Sequence, residues 1–118
     1  MAGRDLDYIQ EVFAAFGPVS IRRMFSGVGI HAEDAMFAMA IAGDIYLKAD
    51  DHTVASFQQH GSMPFSYATK DGRRSIMSFW RMPDHLYDDA DELARWAREA
   101  VAAAHRARVP KKKSARRR

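Results

Sequence analysis

The segment RRMFSGVGI at residues 22–30 is the part of the chain that most constrains its fold. It places two arginines, two large apolar residues and two glycines within nine positions, and the pattern predicts a strand, a turn and a second strand. Glycines in such a pattern mark a tight reversal or a bulge. The segment holds no obvious catalytic group, so it indicates an architecture more than a reaction. We therefore expect a small regulatory or binding module.

The composition is that of one ordinary globular domain. The chain has 118 residues, 47% of them hydrophobic, and a domain of this size folds without disulfides or metals. It has no cysteine, which excludes disulfides, thiolate nucleophiles and cysteine-ligated metals and fits a reducing compartment. The first residues turn polar and acidic at once, and no long apolar run follows. We therefore expect a cytoplasmic protein without membrane contact.

The positive charge is concentrated at the C-terminus. The net charge is +3, but residues 110–118 hold six cations and no anion, and the rest of the chain has 12 basic and 15 acidic residues. Such a run cannot pack into a core, so we predict a folded domain at 1–107 and a disordered basic tail at 108–118. The tail could neutralise the phosphates of DNA or RNA without reading bases, or it could serve solubility alone. The six cations are Lys111, Lys112, Lys113, Arg116, Arg117 and Arg118.

The remaining sequence alternates between helical and strand periodicity. Apolar residues recur at helical spacing near both ends of the folded part, and Asp50 or Asp51 is expected to cap a short central helix that Gly61 closes. Strands joined by hairpins, with helices on one face, imply a two-layer α+β domain with an antiparallel sheet of about six strands. The predicted order is α-β-β-β-β-α-β-β-α, with helices at 5–16 and 88–106 and strands at 19–25, 28–32, 35–41, 45–48, 64–69 and 75–82.

Several short pieces follow one another in a recognisable order. They are RMFSGVGI at 23–30, MFA at 36–38, GDIYLKAD at 43–50, PFSY at 64–67 and MSFWRMP at 77–83. Together they resemble the N-terminal domain of the TfoX/Sxy family of bacterial competence regulators. The resemblance covers about residues 8–104 and departs at Ser26, where the family usually has glycine. The signature residues in this chain are Arg23, Met24, Phe25, Gly27, Gly29, Tyr46, Leu47 and Lys48.

This resemblance implies a fold and a regulatory role rather than a reaction. It implies a fold similar to the secretion-chaperone-like domains, which often dimerise, and a role in switching on competence genes. It supplies no catalytic residue and no cofactor. Founding members of the family carry a second, C-terminal domain, whereas this chain has a basic tail, so we expect a single-domain member.

Other residues that could carry chemistry have simpler structural explanations. Arg22 and Arg23 could clamp a phosphate or a carboxylate, but neighbouring residues of a strand face opposite ways. The segment GVG at 27–29 has neither dinucleotide-binding nor P-loop spacing. The five histidines are dispersed along the chain. We expect no metal site, although the sequence DDH at 50–52 could contribute to one if it did not cap a helix.

Four aromatic residues raise the question of an interface. They invite comparison with base-stacking platforms, but basic residues are not interleaved along the first of their two strands, and about half of such rings must line the core. Rings that stay partly exposed would instead indicate a protein interface, with a second copy of the chain as one partner. The four residues are Phe65, Tyr67, Phe79 and Trp80.

Three functions remain open from the sequence. The first is a regulatory adaptor that dimerises and binds an unidentified protein, while its tail contacts DNA or RNA without sequence preference. The second is a protein-interaction or chaperone-like module that does not bind nucleic acid. The third is an enzyme or small-ligand domain, which would need a polar pocket near Arg23, Tyr46 and Lys48. We expect the first of these, and therefore no catalysis.

Overall fold

A computed structural model describes residues 3–24, 27–68, 70–72 and 74–108 of the chain. The predicted basic tail lies outside these residues, apart from its first position, Arg108. The described residues form three α-helices, six strands and one 3-10 helix. The elements are α1 (Gly3–Val12), β1 (Ser20–Met24), β2 (Gly27–Ala32), β3 (Ala35–Ile41), β4 (Asp44–Lys48), α2 (Val54–Gln59), β5 (Pro64–Ala68), β6 (Arg74–Arg81), the 3-10 helix (Asp84–Asp88) and α3 (Ala90–Arg108).

All six strands belong to one antiparallel sheet, in the spatial order β1-β2-β3-β4-β6-β5. The predicted α+β class and the predicted order of helices and strands are therefore confirmed. Two of the hairpins turn on two residues in the left-handed region, Glu33-Asp34 with φ of 51° and 63°, and Ala42-Gly43 with φ of 54° and 87°. Such turns match the natural twist of paired strands and so set the register of β2, β3 and β4.

The main core lies between the sheet and the helices. Phe37 of β3 packs against Phe13 and Phe16, which follow α1, with ring centroids 5.4 and 5.3 Å away. On the other side of the core, α3 packs an alanine-rich stripe against β3 and β4. The largest fully buried side chains of this core include Phe13, Ile30, Phe37, Leu47, Met82, Leu86 and Leu93.

A bulge in β3 decides which side chains face the helices. Ile30 pairs with Ala38 while His31 pairs with Met36, so Phe37 is the extra residue between two ladder positions. An extra residue interrupts the strict alternation of side chains along a strand. Phe37 and Ala38 therefore both face the main core, and Met36 and Met39 both face the opposite side of the sheet.

The structure differs from the sequence predictions at helix boundaries. The 3-10 helix at Asp84–Asp88 was not predicted, and α3 begins only at Ala90, where the Asp89 carboxylate accepts a hydrogen bond from the backbone N–H of Glu92 at 3.2 Å. The prediction that Asp50 or Asp51 caps α2 is wrong, because Thr53 occupies the N-cap position. The Asp50 carboxylate instead accepts hydrogen bonds from the His52 backbone and from Arg106.

Candidate interaction face of the sheet

The side of the sheet that faces away from the helices carries a second apolar cluster, which we call the outer face. Met39, Ile41 and Phe79 are buried at its centre, with exposed fractions of 0%, 9% and 7%. An antiparallel sheet with helices on one side usually turns polar residues to the other. Here the central strand β3 is apolar on both sides. The half-buried residues that surround the centre of the outer face are Met24, Met36, Tyr46 and Phe65.

Gly29 makes room for the methionine side chains of the outer face. A Cβ atom at this position would lie 2.8 Å from Sδ of Met36 and 3.1 Å from Sδ of Met24. Glycine therefore lets two flexible thioethers lie directly over the backbone of β2. Because methionine is unbranched and polarisable, this part of the outer face can change its shape readily.

The opposite end of the outer face is aromatic. The rings of Tyr46 and Phe65 meet edge to face with centroids 5.2 Å apart. Burial, together with the nearby Asp44 carboxylate, raises the pKa of the Tyr46 phenol. Nζ of Lys48 lies 5.2 Å from the ring centroid of Phe79 and donates a hydrogen bond to Ser78. Burial lowers the pKa of Lys48, against a smaller opposing effect of the Asp50 carboxylate.

The rim of the outer face is charged. Arg22 pairs with Gly29 across the sheet and lines a shallow cleft with His31 and Met36. Burial, followed by the positive charge of Arg22, lowers the pKa of His31. At the far side, Arg81 makes exposed ion pairs with Asp44 at 3.5 Å and Asp84 at 3.4 Å. The rim thus carries both signs of charge, because Glu33 and Asp34 line the same cleft as Arg22, and Arg81 is paired with two carboxylates.

Comparison with known proteins identifies the family of this fold. The family model of the TfoX N-terminal domain matches residues 11–104, most of the chain. The chain belongs to the TfoX N-terminal domain family. It is similar to Protein Sxy of Escherichia coli strain K12, with 27% identity over 95 residues, which are 80% of this chain and 45% of that protein.

A second relative is the DNA transformation protein TfoX1 of Aliivibrio fischeri strain ATCC 700601 / ES114. The two sequences are 31% identical over 70 residues, which are 56% of this chain and 34% of the relative. The chain therefore matches less than half the length of either curated relative. The resemblance seen in the sequence is confirmed at the level of the family.

The signature residues of this TfoX N-terminal domain fall on both sides of the sheet. Gly27 and Gly29 lie on the outer face with Met24, Tyr46 and Lys48, and Phe25 lies outside the described residues. Leu47 is buried in the main core. Arg23 pairs with Val28, a main-core residue, so it faces the opposite way from Arg22, as the sequence predicts.

A polar pocket formed by Arg23, Tyr46 and Lys48 is not present. Arg23 is on edge strand β1, whereas Tyr46 and Lys48 are on β4, three strand positions away. That separation is about 14 Å across the sheet. Because Arg23 also lies on the side away from the outer face, the three residues cannot converge on one small ligand.

The four candidate aromatic residues are also divided between the two sides. Phe65 and Phe79 belong to the outer face, whereas Trp80 packs in the main core against Phe57, with ring centroids 6.1 Å apart. The side chain of Tyr67 lies outside the part of the structure that is described. Sequence reasoning missed Met36, Met39 and Ile41 as outer-face residues, and the available signal was an apolar run in β3 with no polar residue.

A second group of polar residues lies between α2 and α3. The rings of His60 and His85 stack with centroids 5.1 Å apart, and His60 meets the edge of Trp96. Glu92 accepts hydrogen bonds from Arg95 and from the indole N–H of Trp96.

Within the described ranges, no three histidines or carboxylates converge as a metal site. None of the described helices is long and apolar enough to cross a membrane.

One ion pair anchors the end of α3 to the sheet. Nε of Arg106 donates to the Asp50 carboxylate at 2.6 Å, and a second guanidinium N–H donates to its other oxygen at 3.1 Å. The Arg106 hydrogen bonds lower the pKa of Asp50, against a smaller opposing effect of burial. The pair holds the last turns of α3 beside Lys48.

We predict that Asp50→Asn lowers the free energy of unfolding at pH 7 by less than about 1 kcal/mol, because the Asp50–Arg106 pair is partly exposed. A lowered folded-state pKa stabilises the protein above the ordinary value of 3.8 and stops doing so as the pH falls through the folded value. The difference between wild type and variant should therefore shrink as the pH falls below about 4. Urea unfolding between pH 7 and pH 3 measures it.

Asp51→Asn is the matched control for this prediction. Asp51 is the exposed neighbour of Asp50 and makes no ion pair within the described part of the chain. It should leave stability within about 0.5 kcal/mol at every pH. A difference between Asp50→Asn and wild type that stays constant down to pH 3 would contradict the role assigned to the Arg106 pair.

Proposed function

We propose that this chain is a non-catalytic regulatory adaptor. Its folded body binds a protein partner through the outer face, and its basic tail contacts DNA or RNA without sequence preference. The observation that carries the proposal is the outer face, an apolar cluster with half-buried Met24, Met36, Tyr46 and Phe65 around its centre, on a sheet whose other side is already covered by helices. Partly exposed apolar residues that lie together on one face are typical of protein interfaces.

The family supports a regulatory setting for this adaptor. One relative is named a DNA transformation protein. From that likeness we infer that this chain acts in the control of transformation, including the transcription of competence genes. Such control takes place in the bacterial cytoplasm, and the absence of cysteine fits that compartment. The chain needs no bound cofactor for this role.

The tail supplies the nucleic-acid contact in this proposal. Its six cations can each displace a counterion from a phosphate, which gives a slope of about −5 for the logarithm of affinity against the logarithm of salt concentration on duplex DNA. The remaining chain carries more acidic than basic residues, so its overall charge disfavours DNA. The tail thus acts as an electrostatic tether, while the outer face remains available to a protein.

We predict that replacing the six tail cations by glutamine in the full chain reduces affinity for duplex DNA at least about tenfold at about 50 mM salt. Fluorescence anisotropy with a labelled duplex measures binding at that salt concentration and at about 150 mM. Wild type should show the steep salt slope and the variant should not. The substituted residues are Lys111, Lys112, Lys113, Arg116, Arg117 and Arg118.

A full chain whose tail residues are shuffled is the control, since its tail charge is unchanged. It should bind as wild type does, because counterion release depends on charge and not on order. If wild type and the glutamine variant bind DNA equally, the tail is not the tether. If neither binds at about 150 mM salt, the adaptor without nucleic acid, which rests on the outer face alone, is the better description.

A further inference from the structure

The geometry points to a binding site for a soft monovalent metal ion, Cu(I), at the methionine end of the outer face. Its ligands are the thioethers of Met24 and Met36 and the imidazole of His31. These residues lie on β1, β3 and β2, which are neighbouring strands of the sheet. All three are half-buried, so a small ion can reach their donor atoms from solvent. The site does not depend on the proposed adaptor function.

The three donor atoms converge above Gly29. A Cβ atom built on Gly29 would lie 2.8 Å from Sδ of Met36, 3.1 Å from Sδ of Met24 and 3.4 Å from Nε2 of His31. A metal ion would lie further from the backbone than this point. Bonds of zinc to sulfur and to imidazole nitrogen are about 2.3 and 2.0 Å long, so the donors need to close in by about 1 Å. Methionine has three rotatable bonds and adjusts by this amount easily.

The bulge in β3 brings two of the ligands together. Ile30 pairs with Ala38, so an unbroken register would place Phe37 opposite His31. Because Phe37 is the extra residue, Met36 pairs with His31 instead and lies on the same side of the sheet. The donors come from three separate strands, which is why no local sequence motif indicates the site.

Packing explains the two methionines but not the imidazole. Thioether sulfur is only a weak hydrogen-bond acceptor, so Nε2 of His31 gains little by facing two of them. A soft metal ion, by contrast, is bound well by thioether and imidazole together. Burial, followed by the positive charge of Arg22, lowers the pKa of His31. This favours the neutral imidazole, which is the form that binds metals.

The donor set selects Cu(I) over other common ions. Zn²⁺ is bound by thiolate, imidazole and carboxylate, and Mg²⁺ and Ca²⁺ are bound by oxygen, whereas thioether is a soft ligand that suits Cu(I). Cu(II) prefers nitrogen and oxygen donors in a plane. The chain has no cysteine, so no thiolate of its own competes for Cu(I).

The charges around the site suit a monovalent ion. Arg22 is near enough to His31 to lower its pKa and would repel a cation. Glu33 and Asp34 line the same cleft as Arg22 and His31, and their charge offsets this repulsion. The three ligands themselves are neutral, and neutral ligands compensate poorly for the much larger cost of removing water from a divalent ion.

Anaerobic titration of the full chain with Cu(I), in competition with a coloured Cu(I) chelator, tests the site. Met24→Leu, Met36→Leu and His31→Gln should each bind at least about tenfold more weakly than wild type, since loss of a residue that merely orients a metal ligand already costs about 10- to 100-fold. Leucine nearly preserves the volume of methionine. The controls Met63→Leu and His52→Gln change exposed residues elsewhere and should bind as wild type does.

Gly29→Ala tests the geometry without removing a ligand. Its added methyl group forces the two sulfur atoms apart from the point where the donors meet, so affinity for Cu(I) should again fall at least about tenfold. Circular dichroism confirms that each variant is folded. A Gly29→Ala variant that binds Cu(I) as tightly as wild type would contradict the convergence of the donors.

Nuclear magnetic resonance identifies the ligands directly. Ag(I), a redox-stable substitute for Cu(I), is added to the full chain with ¹³C-labelled methionine methyl groups. The methyl signals of Met24 and Met36 should shift, and that of exposed Met63 should not. Three results overturn the inference: no binding of Cu(I) by wild type, equal binding by wild type and the three ligand variants, or Zn²⁺ that displaces Cu(I) from the site at equal concentration. Binding of DNA by the tail is a separate measurement, so failure of the metal site leaves the adaptor proposal standing.

Discussion

Replacing Phe37 with alanine is expected to lower the free energy of unfolding by about 3–5 kcal/mol. Phe37 is fully buried and is the bulged residue of β3. Its ring packs edge-on against Phe13 and obliquely against Phe16, so it joins the segment after α1 to the centre of the sheet. Truncation removes the buried ring and leaves a cavity that the close-packed side chains around it fill only in part. A small domain has about 5–15 kcal/mol of stability in all.

Urea unfolding followed by far-ultraviolet circular dichroism measures this loss. Tyr8→Ala is the control, since Tyr8 is an aromatic residue of α1 with an exposed fraction of 50%. It should change the free energy of unfolding by no more than about 0.5 kcal/mol. A loss below about 1 kcal/mol for Phe37→Ala would mean that the core collapses around the bulge, contrary to the packing described.

The second large effect is expected at Gly27, where alanine should cost about 3 kcal/mol. A Cβ atom there would lie 2.1 Å from the carbonyl oxygen of Ala40 and 2.9 Å from Cγ1 of Ile41. The first of these atoms belongs to the backbone of β3, so it cannot move without breaking the pairing of β2 with β3. The absence of a side chain at Gly27 is thus a condition for the close approach of the two strands.

Gly29→Ala is the matched control, two residues along the same strand. Its added Cβ would meet the sulfur atoms of Met36 and Met24, which belong to flexible side chains that can rotate away. We expect a change of less than about 1 kcal/mol, because the backbone can stay in place. Thermal and urea unfolding of both variants provide the comparison. Equal losses at Gly27 and Gly29 would show that backbone contact is not the deciding factor.

The order and type of the regular elements could be predicted because they depend on local patterns. The strand β3 was predicted at residues 35–41 and lies there, since its apolar run and its flanking turns are contiguous in sequence. The capping role of Asp50 was predicted wrongly, since its carboxylate is bound by Arg106, 56 residues away. Local pattern cannot anticipate a partner supplied by a distant helix.

The candidate site shows the same division. Sequence resemblance singled out Gly27, Gly29, Tyr46 and Lys48, and all four lie on the outer face. The signature also included Leu47, which is a core residue. A family signature marks a position as constrained, but it does not tell whether packing or function constrains it. The sequence did not reveal that Met36 and Met39 lie together on the outer face, because strict alternation along β3 predicts that they point to opposite sides of the sheet.

The amino-acid sequence by itself determined the class of the fold, the sequence of helices and strands, the acidic body and the concentration of cations in residues 110–118. These depend on composition and on spacing between near neighbours. Only the tertiary structure decided which apolar residues of β3 face each side of the sheet. That outcome depends on one extra residue at Phe37, which shifts the side chains of β3 relative to those of β2. Pairing between strands, and not the pattern within one strand, therefore determined which side chains form the outer face.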